Sequence, residues 1–95
     1  MTYSTQFIND NFDEFYELDQ EQFPDDSYED AVVEEFGIKY YYADDEHAPY
    51  LVYKEVEYQF ISDIADDNFE VKEFLFKKII ETNKNIQEIV KAKLG

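Results

Sequence analysis

The carboxylates of this chain are confined to one part of it, and that confinement limits every element the part can form. Residues 1–70 hold 21 of the 24 acidic side chains with only Lys39 and Lys54 against them, a balance of −19. Residues 71–95 hold Glu73, Glu81 and Glu88 against six lysines, a balance of +3, and arginine is absent throughout. Any helix or strand in the first seventy residues must therefore turn a densely anionic face to solvent. The opposite face has to supply the whole core. Such self-repulsion costs a small domain stability, so a chain that keeps it is read as one that uses it.

The material for the core is aromatic. Nine Phe and nine Tyr stand beside two Gly and two Pro, and aromatic side chains bury more area than any others. That density separates the chain from acidic disordered segments, which lack aromatics. Ninety-five residues are expected to make a single domain over 1–95, an acidic body 1–70 followed by a lysine-rich helical segment 71–95. Without cysteine no disulfide, thiolate zinc site or thiol nucleophile is possible. The N-terminus lacks the charge and apolar run of a signal peptide, and no apolar run approaches a membrane span. An acidic surface is repelled by anionic lipid and by DNA. Neither a membrane nor direct nucleic-acid contact is expected.

Apolar residues Ile8, Phe12 and Phe15 recur at helical spacing, predicting a first helix over 5–18 with Ser4 or Thr5 as its N-cap. Pro24-Asp25-Asp26 reads as a turn. Ser27 and Asp30 resemble a capping box for a second, short helix with Tyr28, Val32 and Phe36 on one face, closed by Gly37. Residues 38–42 and 50–53 favour strands, and a hairpin over about 38–60 is expected. Lys54–Ile64 fits strand or helix, with strand preferred through about residue 60. From Phe69 onward Val71, Leu75, Ile79, Ile86 and Val90 keep helical phase, and either one long helix or two shorter ones divided at Thr82-Asn83-Lys84-Asn85 satisfies the pattern. The expected architecture is α+β: two N-terminal helices, a small antiparallel sheet and a C-terminal helix. Phe7, Phe12, Phe15, Phe36, Phe60, Phe69, Phe74 and Phe76 are expected in the core.

The acids have a pattern of their own. Asp10, Glu14, Glu17 and Glu21 step by four, three and four residues and share a helix face; Asp26, Asp30 and Glu34 step by four. Four residues rise roughly 6 Å along a helix, so each set is a row of like charges at regular pitch. Asp44, Asp45 and Glu46 add a third group in a loop. Tyrosines are interleaved with them, all nine lying between Tyr3 and Tyr58, and tyrosine is enriched at protein interfaces. Strand alternation puts either Tyr41 or the pair Tyr40 and Tyr42 on the outer face. The candidate partner-binding residues are Asp10, Glu14, Glu17, Glu21, Asp26, Asp30, Glu34, Tyr41, Asp44, Asp45 and Glu46. A charge run is more commonly just a solvated face, and the C-terminal lysines are expected to neutralise acids of the same chain.

Catalytic patterns are missing. His47 is the single histidine, which rules out a histidine pair, and its setting among Asp44, Asp45 and Glu46 suits a solvated turn better than a metal site. No zinc spacing, calcium loop, phosphate-cradling loop or dinucleotide fingerprint occurs. No enzyme activity, metal or cofactor is expected.

In size, acidity, tyrosine content and lack of cysteine the chain resembles the phage-encoded DNA-mimic inhibitors of the anti-CRISPR and anti-restriction type. The resemblance covers overall character and residues 1–70, without an alignable motif, and the lysine-rich end departs from it. It implies a stoichiometric inhibitor, acting in the cytoplasm of an infected bacterial host, that covers the DNA-binding site of a basic defence nuclease. An RNA-guided CRISPR effector, which reads a short duplex motif with arginines, is the foremost candidate. An immunity protein or antitoxin against a basic nuclease toxin would use the same electrostatics. An adaptor acting through Val71–Leu94 is a third reading, and a homo-oligomer is left open.

Overall fold

The computed structural model describes residues 3–22, 32, 34–41 and 44–95. They form a mixed α and β structure, with α1 Thr5–Gln22, strands β1 Lys39–Tyr41, β2 Tyr50–Tyr53 and β3 Val56–Tyr58, and helices α2 Ile61–Asp67, α3 Phe69–Thr82 and α4 Lys84–Leu94. Contacts divide the chain into two compact units, Met1–Asp25 with Phe76–Gly95 in one and Asp26–Leu75 in the other. None of the helices of the described residues is long and apolar enough to cross a membrane.

In the first unit, α1 starts where Ser4 accepts the Phe7 N–H at 3.1 Å through its side chain and the Ile8 N–H at 3.1 Å through its carbonyl. This is N-capping. Ile8, Phe12 and Phe15 of α1 are buried together with Phe76, Ile79 and Ile80 of α3 and Ile86 and Val90 of α4. Phe76 joins them: its ring stacks on Phe15 at 5.5 Å and meets Tyr3 and Phe7 edge-on at 5.6 and 5.9 Å.

The second unit is built on a three-stranded antiparallel sheet in the order β1-β2-β3. Lys39, Tyr40 and Tyr41 face Val52, Leu51 and Tyr50; Leu51, Val52 and Tyr53 then face Tyr58, Glu57 and Val56. Alternation sends Leu51 and Tyr53 inward, where they are buried with Ile38, Ile61, Ile64, Ala65, Val71 and Leu75. Asn68 separates α2 from α3 and serves both. Its N–H caps α2 on Ile64 at 3.0 Å, while its side-chain oxygen accepts the N–H groups of Glu70 and Val71 at 3.1 and 3.4 Å.

Four expectations are corrected. The hairpin over 38–60 is a three-stranded sheet, because the chain reverses at Lys54-Glu55, both in the left-handed region with φ of 51° and 68°, the geometry of a two-residue hairpin turn. Residues 61–67 then form α2, so the strand stops at Tyr58. The single C-terminal helix of the expected architecture is two helices, divided within residues 82–85 as the pattern allowed, because Asn83 breaks the run and accepts the Ile86 N–H at 3.2 Å as the cap of α4. Among the expected core phenylalanines, Phe60 is 59% and Phe69 38% exposed. One long helix is described on the N-terminal side where two were expected. The second falls largely outside the described residues, among which residues 32 and 34–36 are helical and Gly37 follows with φ of 69°.

Candidate functional site

On α1 the buried and exposed residues segregate cleanly. Asp10, Asp13, Glu14, Glu17 and Glu21 are exposed while Ile8, Asn11, Phe12, Phe15 and Asp19 are buried. At about 100° per residue, Asp10, Glu14, Glu17 and Glu21 lie within a stripe roughly 60° wide and 16 Å long, with Asp13 at its margin. One strand of a DNA duplex carries about five phosphates over that length. The five exposed carboxylates of α1 match it in number. Gln6 donates to both oxygens of Asp10, at 2.8 and 3.0 Å, and no lysine pairs with the row among the described residues. Two ion pairs of the lysine-rich end run elsewhere: Lys72 lies 3.8 Å from Asp66 and Lys91 3.7 Å from Glu88.

The second unit carries the other candidates. Tyr41 is on the outer face of the sheet, 41% exposed, and its ring stacks on Tyr50 of the neighbouring strand at 4.8 Å and 10°. Its neighbour Tyr40 alternates to the inner face. Asp44 is occupied by its own loop: Oδ1 accepts the N–H groups of Glu46 at 2.9 Å and His47 at 2.7 Å, with His47 Nδ1 at 3.1 Å. The two backbone donors hold its carboxyl below the usual range, as hydrogen bonds to a carboxylate do. That fixed turn presents Asp45 and Glu46, both exposed, and a shallow pocket beside it is lined by Glu46, His47, Pro49, Tyr50 and Glu57. Glu34 is exposed in a helical stretch. Asp26 and Asp30 lie outside the described residues. Among those described, no group of three His, Asp or Glu side chains could hold a metal ion.

Residue type hid one site. Asp19 belongs in phase with Ile8, Phe12 and Phe15 and is 1% exposed. Its Oδ1 accepts from Asn83 Nδ2 at 3.3 Å, whereas Oδ2 is buried with no partner among the described residues. Burial pushes its carboxyl above the ordinary value of 3.8, and the Asn83 bond offsets this only in part. Between the unfolded and the raised folded value the native state binds the extra proton, so stability falls as pH rises through that window. Above it, the ionised buried group is a cost. Asp19→Asn keeps the acceptor for Asn83 and removes the charge. The variant is expected to be more stable at pH 7 by roughly 1–3 kcal/mol, because no ionised group is then left buried, with the gap closing below about pH 4. Urea melts at both pH values check this, against Asp13→Asn as an exposed control of equal charge. Equal midpoints for the two variants at pH 7 would show Asp19 to be no burden.

Compared with protein-family models, curated proteins and solved structures, the chain matches none of them.

Proposed function

We propose that this protein is a polyanion mimic: a non-enzymatic, stoichiometric inhibitor that lays its carboxylates on the lysines and arginines with which a basic nuclease grips DNA. A bacterial defence nuclease of the RNA-guided kind is the target favoured by the resemblance. The observation that carries the reading is the exposed row on α1, regular in pitch and unpaired with any lysine among the described residues. Carboxylates pair bidentately with arginine, so the row suits side chains that read bases as well as those that hold phosphates. The Tyr41–Tyr50 stack, 4.8 Å between ring centres, supplies rigid contact area within an acidic surface, as interface tyrosines do.

The test is competitive retention. Immobilised protein exposed to host extract at about 50 mM salt is expected to hold a nucleic-acid enzyme and to release it near 200 mM, the range over which phosphate-type contacts weaken most. A duplex oligonucleotide should displace the same enzyme. Retention indifferent to both salt and oligonucleotide sinks the reading. Retention of a cognate toxin in place of a defence enzyme moves the target to the immunity-protein class.

A further inference from the structure

The sheet ends at β3, beside which no further strand lies among the described residues. The two-residue turn makes Tyr53 and Val56 the hydrogen-bonded closing pair, so Val52 and Glu57 are the open pair that follows. The backbone N–H and C=O of Glu57 therefore point away from β2, to the free edge. Natural proteins usually blunt such an edge. This one is bordered by exposed apolar groups: Val56 is 50% exposed, and Phe60, which follows the strand, 59%. A cleft of about 440 Å³ runs beside it, bounded by Val56–Gln59 on one side and by Asp63, Asp66 and Asp67 of α2 on the other. The three aspartates are spaced by three and one residues, which places them on a common helix face. Ile61, Ile64 and Ala65 are buried on the opposite side.

We propose that the edge of β3 is a docking strip for an extended, arginine-bearing segment of a partner protein, which adds alongside Val56–Tyr58. Backbone hydrogen bonds at Glu57 hold the segment, as in strand addition generally. Its guanidinium groups meet Glu57, Asp63 and Asp67, with Asp66 shared with Lys72 at 3.8 Å, and its apolar residues cover Val56. Arginine fits better than lysine, since its planar fork engages carboxylates bidentately and stacks on exposed aromatic rings such as Phe60. The inference rests on the function proposed above only for the basic character of the partner; the strip lies apart in sequence from the α1 row.

The test titrates the isotopically labelled full chain with a seven-residue peptide of alternating arginine and valine, followed by amide NMR shifts. Shifts concentrated in residues 56–59 and 63–67 are expected. Glu57→Pro removes the outward N–H without touching the ladder to β2 and is expected to weaken the peptide roughly tenfold, about one hydrogen bond's worth, while Glu57→Gln weakens it far less. Shifts spread equally over α1 and residues 44–46, or an unaltered affinity in Glu57→Pro, overturn the proposal. Should Glu57→Pro lose the native spectrum, Asp63→Asn with Asp67→Asn decides: unchanged affinity overturns it and a loss supports it. Peptide binding at β3 with no nucleic-acid enzyme retained would leave this inference standing and sink the proposed function. The converse pair of results would do the opposite.

Discussion

Replacing Asp10, Glu14, Glu17 and Glu21 together by lysine is expected to abolish inhibition, with affinity for the target falling roughly a thousandfold. An exposed ion pair contributes at most about 1 kcal/mol, and four of them lost amount to about three decades in the dissociation constant. Repulsion from the newly introduced lysines adds to that. The fold should tolerate the change. All four side chains are exposed, one row of like charges replaces another, and four reversals of two units each bring the net charge from −16 to −8. The control reverses Glu35, Glu55, Glu81 and Glu88, also exposed, for the same change in net charge. Titration calorimetry against the retained enzyme separates the two. If the control loses as much affinity as the α1 variant, overall charge rather than an ordered row is responsible, and mimicry of a strand is the wrong description. The salt dependence supplies a second reading, since fewer neutralised contacts give a shallower slope.

How far the sequence foretold this arrangement depended on whether a signal was local. The row on α1 was legible because helical phase fixes both faces at once: once Ile8, Phe12 and Phe15 are inside, Asp10, Glu14 and Glu17 must be outside. The same phase put Asp19 inside, but an acidic residue type argued the other way. Only the partner Asn83, 64 positions along, makes its burial intelligible. The extension of α1 to Gln22 follows from the same periodicity continuing toward Pro24. Alternation limited Tyr41 to two options, and the inward side of Leu51 and Tyr53 settled them. The reversal at Lys54-Glu55 was hidden because neither residue is the Asn or Gly that two-residue turns favour. Helix α2 was hidden as well, being seven residues long with no side-chain cap at Phe60. The edge of β3 could not be read at all, because strand order is a property of the sheet and not of any one segment.

Two phenylalanines that look equivalent in the sequence are expected to behave oppositely, and the contrast tests both the core and the docking strip. Phe76→Ala should cost about 3–5 kcal/mol, the range for a fully buried aromatic. Phe76 is 0% exposed and touches three rings, at 5.5, 5.6 and 5.9 Å, so its removal takes out the ring that ties Tyr3, Phe7 and Phe15 to α3. A domain of this size has about 5–15 kcal/mol in all, and the variant is expected to melt at far lower denaturant with its near-ultraviolet aromatic signal collapsed. Phe60→Ala should move the midpoint by less than about 0.5 kcal/mol, as surface changes do, because more than half of Phe60 is already in water. Its effect belongs to binding: affinity for the arginine–valine peptide should fall severalfold while the spectrum of the free chain stays native outside residues 58–63. Equilibrium urea melts and the peptide titration, run on both variants, give four numbers. A large stability loss in Phe60→Ala would return that ring to the core and remove the apolar border from the β3 edge. A small loss in Phe76→Ala would mean that the aromatic cluster is not what holds α1 against α3.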